Sequence, residues 1–294
     1  MSSYSGTLHN YAPRLVAFEF PSTSSIPHGN KLLFVGGLGD GLLTVPYVSN
    51  LAVSLDRVGW SVVQLLLSSS YTGWGAGSLA RDTTEIEKAI VYFRRRDPKA
   101  KIVLMGHSTG SQDTISYLSR HQPSTEFGSL DGGILQAPVS DREAMQVLFP
   151  DQAAEMCEFA ASWETMDRSF DFLPKRYSDA FFGTPITAYR WLSLARKGGD
   201  DDYFSSDIDH KELLTTFGIV RAPICVLISG SDEFMPSELD KQDLLRRWQN
   251  ATNPTLWSSC SAVIQGATHN LGETSKPGAQ DEVIAKVARF LSTL

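Results

Sequence analysis

The chain has 294 residues, of which 42% are hydrophobic and 20% charged, and its formal net charge is −7. A chain of this size can bury a large core without disulfides or structural metals, and its acidic balance argues against a nucleic-acid partner. Three cysteines without a Cys-x-x-Cys pair disfavour a disulfide framework or a zinc site and suit a reducing compartment.

The first ten residues lack the features of a secretory signal, because they have neither a basic start nor an apolar core. No stretch of the chain approaches the ~18 consecutive apolar residues that indicate a membrane-spanning helix. We therefore expect a cytoplasmic protein without a membrane span.

Apolar strand-like runs alternate with amphipathic helix-like segments along most of the chain. The predicted strands are 14–20, 31–35, 61–67, 101–105, 132–137, 223–229 and 261–265, and the predicted helices are 44–56, 78–96, 111–120, 237–249 and 280–294. This alternation indicates an α/β fold with a mostly parallel sheet and helices on both faces. Ligands of such sheets bind at the carboxyl ends of the strands.

A glycine-rich loop, residues 36–41, follows the predicted strand 31–35. A phosphate-binding loop is the alternative interpretation, but neither Gly-Lys-Ser/Thr nor Gly-x-Gly-x-x-Gly spacing is present. Glycines at this position allow backbone N–H groups to turn toward a substrate carbonyl. The loop is therefore predicted to form half of an oxyanion hole, with the amide of Leu38 as the donor.

Residues 106–110 have the pattern Gly-x-Ser-x-Gly between a predicted strand and a predicted helix. This is the local order of a nucleophile elbow, in which side chains at the two flanking positions would collide with neighbouring elements. Glycine at 106 and 110 removes those clashes, while Ser108 takes a strained conformation at a helix N-terminus. The pattern predicts Ser108 as the nucleophile and the amide of Thr109 as the second oxyanion donor. An ordinary strand-to-helix turn is the alternative.

A serine hydroxyl needs a base within hydrogen-bond reach, and that base needs a third group to orient it. In α/β-hydrolases the chain order is Ser, then Asp or Glu, then His. His269 follows the predicted strand 261–265 directly and is predicted to be the base. His210 lies in a polar stretch without a preceding strand and is interpreted as a surface residue.

The predicted acid is Asp232, which comes shortly after the predicted strand 223–229. A carboxylate there can orient the imidazole and stabilise its protonated form. Glu233 is the competing acid one position later. Asp232 as a helix cap before Pro236 is the alternative without catalysis.

The alternation of strands and helices lapses between residues 141 and 217. Aromatic residues accumulate in this segment: Phe149, Phe159, Trp163, Phe170, Phe172, Tyr177, Phe181, Phe182, Tyr189, Trp191, Tyr203 and Phe204. Residues 141–210 also carry 14 acidic and 7 basic side chains, so this stretch alone accounts for the net charge. We predict a core of residues 1–140 and 218–294 with a cap of residues 141–217. Its aromatics are expected partly to line the substrate cleft and partly to pack the cap onto the core.

An acidic run, Asp200 to Asp202 with Asp207 and Asp209, has the composition of a calcium loop but not the EF-hand spacing. We interpret it as a solvated acidic loop. No Cys/His cluster has zinc spacing either. We therefore predict no metal and no cofactor.

Three motifs together resemble one group of fungal α/β-hydrolases, long catalogued as a domain of unknown function. They are the glycine loop 36–42, the segment 69–75 and the extended elbow 106–113, and the Asp232 and His269 loops complete the likeness. Some members of that group are intracellular hydrolases that open the ester bonds of fusarinine-type ferric hydroxamate siderophores. The resemblance implies a triad of Ser108, Asp232 and His269, with the Leu38 and Thr109 amides as oxyanion donors.

The segment 69–75 follows the predicted strand 61–67, so Ser69, Tyr71 and Trp74 should reach the mouth of the cleft and contact substrate. For Trp74 the alternative is a wedge under the cap. Asp113, five positions beyond Ser108, is expected to tie a neighbouring loop by hydrogen bonds.

Our leading hypothesis is a serine esterase that hydrolyses a hydroxamate siderophore and so allows iron recovery inside the cell. A general carboxylesterase for small or acyl esters is the alternative within enzymes. A non-catalytic ligand-binding protein on a hydrolase scaffold is the alternative from another class.

Overall fold

The computed structural model describes residues 3–23, 28–150, 152–180 and 183–294. Within these ranges, eight strands form one sheet: β1 (Thr7–Ala12), β2 (Leu15–Glu19), β3 (Asn30–Val35), β4 (Trp60–Leu66), β5 (Ile102–His107), β6 (Gly132–Gln136), β7 (Ile224–Ser229) and β8 (Ala262–Ile264). Their spatial order is β1-β2-β4-β3-β5-β6-β7-β8. The pairs β1–β2 and β2–β4 are antiparallel, and every other neighbouring pair is parallel.

In the described part of the chain, ten α-helices accompany the sheet: α1 (Val48–Asp56), α2 (Leu79–Arg96), α3 (Thr109–Ser119), α4 (Asp141–Leu148), α5 (Ala153–Thr165), α6 (Lys175–Ala180), α7 (Ala188–Ala195), α8 (His210–Leu214), α9 (Lys241–Ala251) and α10 (Ala279–Leu291). The alternation of side chains along β3 explains how both faces become covered. Leu32 and Phe34 pack with α1 and α10 on one face. Leu33 and Val35 pack with α2 on the other. The predicted α/β architecture is confirmed.

The structure adds a strand, β1, that the sequence did not predict. Thr7–Ala12 contains His9 and Asn10 and lies at the sheet edge, where three of its six residues are exposed and one is buried. Such a segment lacks the apolar run by which the central strands were recognised. It forms instead because β2 offers a partner, in the register Thr7 opposite Glu19.

Two helices begin later in the chain than the sequence predicted. The predicted helix 237–249 begins at Lys241, because the Asp240 carboxylate accepts hydrogen bonds from the amides of Gln242 and Asp243. The predicted helix 44–56 begins only at Val48, since the preceding residues continue the loop that starts at Gly36.

The predicted cap segment, residues 141–217, contains helices α4 to α8 between β6 and β7. Trp191, Tyr177 and Met156 are buried in an apolar cluster of this segment, with Tyr177 meeting Trp191 edge-on at 4.8 Å between ring centres. Tyr203 and Phe204 of the same segment instead pack with Ile115, Leu118 and Trp248 of the core, so the aromatic residues of this segment serve both its own packing and its contact with the core. The division into core and cap stays a prediction.

No helix within the described ranges is long and apolar enough to cross a membrane.

Candidate active site

Ser108 stands between the end of β5 and the first residue of α3. Its backbone has φ 55° and ψ −126°, a conformation that non-glycine residues rarely adopt. The Ser108 N–H donates to the carbonyl of Gln136 at 3.0 Å, and the N–H of Ser111 donates to the Ser108 carbonyl at 2.8 Å. These bonds hold the strained turn, so the predicted elbow geometry is present.

The flanking glycines are required by close contacts. A Cβ on Gly106 would lie 1.8 Å from the carbonyl oxygen of Gly110, and one on Gly110 would lie 2.4 Å from the oxygen of Val35. A Cβ on Gly37 would lie 2.6 Å from the Cβ of Ser108. The glycine loop therefore touches the nucleophile turn only because it carries no side chain there.

The three predicted triad side chains meet at the carboxyl end of the sheet. Ser108 Oγ lies 2.8 Å from His269 Nε2, and His269 Nδ1 lies 2.8 Å from Asp232 Oδ2. The carboxylate can only accept, so Nδ1 carries a hydrogen and Nε2 is left to accept the serine proton. Asp232 and His269 are both buried, which strengthens this pair.

The two loops that supply the acid and the base are fastened to each other. The Gly230 N–H donates to the Ile264 carbonyl, and the Ser231 N–H donates to the Ala267 carbonyl, both at 2.8 Å. The competing acid, Glu233, accepts the backbone N–H of His269 at 2.9 Å. Glu233 thus holds the histidine backbone while Asp232 holds its ring. The sequence did not predict that the two neighbouring carboxylates would bind different parts of the same histidine.

The glycine loop is held in shape by Asp40. Its carboxylate accepts the Gly37 N–H and the Thr44 hydroxyl, each at 2.8 Å, while its own N–H donates to the Gly37 carbonyl. Gly39, with φ 81°, supplies the left-handed residue that this tight turn requires. Leu38 lies between Gly37 and Gly39 in this turn.

Thr109 is the first residue of α3, where backbone N–H groups have no intrahelical acceptor. Leu38 lines the same cavity as Ser108. The structure thus brings both predicted oxyanion residues next to the nucleophile.

A buried network supports the back of the triad. His107 Nδ1 donates to Gln136 Oε1 at 2.6 Å, and the same oxygen accepts the Tyr47 hydroxyl at 2.9 Å. Burial, with a further contribution from nearby His269, lowers the pKa of His107 to about 4. His107 is therefore neutral near pH 7 and does not oppose a positive charge on the His269 ring, whose centre lies 5.0 Å away.

A cavity of about 290 Å³ opens onto Ser108 and His269. Its wall is largely apolar, with Leu38, Trp74, Val139, Ala144, Met145, Leu148 and Phe234. The ring of Phe234 meets His269 edge-on at 4.8 Å. Asp40 and Asp141 are the carboxylates in the wall, and no lysine or arginine lines it among the described residues.

The expected role of cap aromatics in the cleft is not observed within the described residues. The aromatic rings at the cavity wall, Trp74 and Phe234, come from loops of the core. The cap contributes Ala144, Met145 and Leu148 of α4 instead. Some cap rings pack against one another, as Tyr177 and Trp191 do, whereas Phe204 packs on Trp248 of the core and Tyr203 lies under Arg120. Phe170 and Phe172 face solvent. Phe181 and Phe182 lie outside the described residues.

The three predicted substrate contacts occupy different places. Trp74 is buried at the wall of the cavity. Ser69 lines a second, smaller cavity on the far side of the glycine loop. Tyr71 is half-exposed, and its hydroxyl accepts the Leu42 N–H at 3.1 Å, so it braces the outer end of that loop. Of the three, only Trp74 therefore lines the cavity that contains Ser108.

His210 is exposed at the start of α8, as expected of a surface residue. The acidic run is not uniformly solvated, because Asp201 is buried and accepts hydrogen bonds from Arg190 and Ser193. Asp209 caps α8 with a capping box. Across the residues that the structure describes, no three His, Cys, Asp or Glu side chains are arranged to hold a metal ion.

Comparison with known proteins extends these observations. The family model described as "Protein of unknown function (DUF1749)" matches residues 1–292. The chain is 43% identical over 300 residues to UPF0613 protein PB24D3.06c of Schizosaccharomyces pombe, covering 95% of this chain and 94% of that protein. It is 37% identical over 341 residues to fusarinine C esterase sidJ of Aspergillus fumigatus, covering 98% and 96%.

Among solved structures, the siderophore hydrolase EstB of Aspergillus fumigatus superposes with a TM-score of 0.85 at 37% identity, covering 99% of this chain and 98% of that one. Further neighbours, including a monoglyceride lipase of Saccharomyces cerevisiae with a TM-score of 0.67 at 9% identity, share the fold alone. The predicted α/β-hydrolase fold and the family resemblance are confirmed. This chain belongs to the family described as protein of unknown function DUF1749, within the α/β-hydrolase fold.

Proposed function

We propose that this protein is a serine esterase that cleaves the ester bonds of a hydroxamate siderophore of the fusarinine type. It is a carboxylic ester hydrolase, in keeping with the esterases among its relatives. The observation that carries the proposal is the hydrogen-bonded series Ser108–His269–Asp232, with 2.8 Å at each step.

The reaction follows from this geometry. Ser108 Oγ attacks the acyl carbon while its proton passes to His269 Nε2, and Asp232 stabilises the imidazolium through Nδ1–H. His269 then returns the proton to the departing alcohol, which leaves an acyl group on Ser108. A water molecule, deprotonated by His269, releases the acid and restores the hydroxyl.

The Leu38 and Thr109 amides stabilise the oxyanion in both tetrahedral intermediates. Three features support this role: the Thr109 amide at the start of α3, the contact of Gly37 with Ser108, and the Asp40 clamp on the loop. One donor of this kind contributes roughly 10²–10³ in rate.

The substrate class rests on the relatives and on the cavity. Relatives at 37% identity are named a fusarinine C esterase and a siderophore hydrolase. The cavity of about 290 Å³ fits one arm of a larger molecule, and its carboxylates Asp40 and Asp141 suit a substrate with free amines. The negative net charge of the predicted cap segment also suits a substrate with free amines.

The decisive assay incubates the purified protein with ferric and iron-free fusarinine C and follows the products by mass spectrometry. Appearance of the linear and monomeric hydroxamates, and their absence with Ser108→Ala, supports the proposal. Comparing the two iron states also shows whether iron must be bound during cleavage. Turnover that survives in Ser108→Ala would remove this serine from the mechanism.

A general carboxylesterase is the second candidate, favoured by the limited volume and apolar wall of the cavity. If kcat/KM for 4-nitrophenyl acetate or butyrate exceeds that for fusarinine C by a wide margin, this second candidate replaces the first. A non-catalytic ligand-binding role would instead require that a fluorophosphonate probe fail to label Ser108.

Iron release inside the cell follows if the substrate enters as its ferric complex. The cytoplasmic location predicted from the sequence stays a prediction. Imaging a fluorescent fusion in cells that make the protein tests it.

A further inference from the structure

A second cavity, of about 30 Å³, lies on the far side of the glycine loop from the substrate cavity. Gly37, Leu38, Asp40 and Trp74 line both spaces, so the two cavities are neighbours. The remaining wall of the small cavity includes Thr109, Asp113 and Asp82 from the core, and Arg190 from the cap segment. This space therefore joins both oxyanion residues to the cap.

Arg190 lies on α7, lines this small cavity and is bonded to Asp201. Its Nη1 donates to Asp201 Oδ2 at 2.6 Å, and Ser193 Oγ donates to the same oxygen at 2.5 Å. The side chain is 2% exposed. The start of α7 is also tied to the core, because the Thr187 N–H donates to the Gly75 carbonyl at 2.9 Å. The guanidinium is thus held by one charge-assisted hydrogen bond to Asp201, while its Nε has no hydrogen-bond partner among the described residues.

The core presents carboxyl groups to this guanidinium. Burial raises the pKa of Asp113, and neighbouring Asp82 and Asp201 raise it further, while Arg190 lowers it. Burial also raises the pKa of Asp82 to about 6, against the opposing effects of Arg190 and Arg81. Arg190 is consequently the buried cation on which several acidic groups depend, and removing it leaves them uncompensated.

Thr109 connects this buried site to the reaction. Its Oγ1 is buried and has no hydrogen-bond partner among the described residues, and the same holds for Asp113 Oδ1. A cavity of about 30 Å³ is large enough for one water molecule between such groups. A water bound there by Thr109, Asp113 and Arg190 would link the cap directly to the residue whose amide faces the oxyanion.

We propose that Arg190 is a positioning residue for the oxyanion hole. Because Arg190 lines the same small cavity as the glycine loop and Thr109, it makes the orientation of the Leu38 and Thr109 amides depend on docking of the cap. The inference rests on the proposed ester hydrolysis, because only that reaction assigns a task to these two amides. Arg190 itself does not line the cavity that contains Ser108.

The test compares Arg190→Met, Arg190→Lys and Asp201→Asn with the wild type. Arg196→Met is the matched control, since Arg196 follows the same helix but forms an exposed ion pair with Glu164. We measure kcat and KM for 4-nitrophenyl butyrate per active site, titrated with a fluorophosphonate, well below the melting temperature. Hydrogen exchange of the amides in residues 36–42 is measured in parallel.

We expect Arg190→Met to lower kcat about 10- to 100-fold with KM changed less than about twofold, the pattern for misplaced oxyanion donors. Arg190→Lys should recover part of the loss, Asp201→Asn should show a smaller loss, and the loop amides should exchange faster in all three. The Arg196→Met control should match the wild type.

Unchanged kcat per titrated site and unchanged loop exchange in Arg190→Met would overturn the proposal, even if the melting temperature falls. If Arg190→Met does not fold, the same criteria apply to Arg190→Lys and Asp201→Asn. Failure of the wild type to cleave any ester would instead refute the proposed function. Hydrogen exchange would still decide whether Arg190 orders the loop.

Discussion

The two cavities on either side of the glycine loop have opposite character. The one on the Ser108 side holds about 290 Å³ and has a mostly apolar wall. The one behind the loop holds about 30 Å³ and is lined by Asp82, Asp113 and Arg190. An apolar front desolvates the ester, whereas the back contains buried charged side chains, and the loop between them is held by Asp40. Electrostatic stabilisation of a transition state needs both desolvation and a fixed loop, because its donors must be fixed before charge develops.

The largest expected effect comes from removing the Ser108 hydroxyl, which lies at the larger cavity. Ser108→Ala removes the nucleophile but leaves the turn, so ester hydrolysis should fall by at least about 10⁴-fold while the fold is retained. Steady-state kinetics measures the loss of ester hydrolysis, and circular dichroism checks that the fold is retained. A Ser111→Ala variant, which changes a buried hydroxyl on the same turn, is the control for structural damage.

The next largest effect is expected from a change in the glycine loop, which lines both cavities. Asp40→Ala deletes the acceptor for the Gly37 N–H and the Thr44 hydroxyl, so the Leu38 amide loses its fixed direction. We expect kcat for 4-nitrophenyl butyrate to drop about 10- to 100-fold with a smaller change in KM. Asp171→Ala, at an exposed ion pair of the cap, should have no such effect. Equal kinetics for the two variants would contradict the assigned role of Asp40.

A smaller effect should follow from filling the front cavity. Ala144 lies in its wall, and Ala144→Phe would occupy part of the space for the substrate. We expect KM for a long-chain or fusarinine-type ester to rise about 10-fold, while 4-nitrophenyl acetate is cleaved nearly as before. The exposed Ala154 on α5 offers the control Ala154→Phe. A uniform loss with both substrates would mean that the cavity does not bind the larger ester.

The smallest effect concerns stability rather than rate. Burial raises the pKa of Asp141 to about 7 from its ordinary value of 3.8, and neighbouring Asp201 adds to this shift. The stability tied to its protonation is complete below about pH 4 and is lost as the pH rises through 7. Asp141→Asn keeps an acceptor for the Gln112 amide but cannot titrate.

We therefore expect the melting temperature of Asp141→Asn to fall less between pH 5 and pH 8 than that of the wild type. A residual slope should remain, because Asp82 titrates near pH 6 in both proteins. The exposed Asp171→Asn should keep the wild-type slope. Identical slopes in all three proteins would show that Asp141 does not titrate in this range.

The strands that carry the triad were predictable because their signals are local. β5 and β7 are fully buried apolar runs, and a parallel sheet brings their carboxyl ends to one edge. The edge strand β1 escaped prediction, since its mixed composition forms a strand only when β2 is beside it. The same reason explains the cap rings, whose spacing along the chain does not reveal which of them face one another.

What the sequence by itself determined is the strained turn that the glycine spacing imposes on Ser108, and the chain order predicts Asp232 and His269 as its partners. The clash that a side chain on Gly106 would make with Gly110 lies within the turn itself, so it acts in any fold that contains such a turn. Only the tertiary structure decided that Glu233 holds the backbone of His269 and that Arg190 is buried with Asp201. Such roles depend on partners far apart in the chain, because a charged residue enters a core only when folding brings its counter-ion there too.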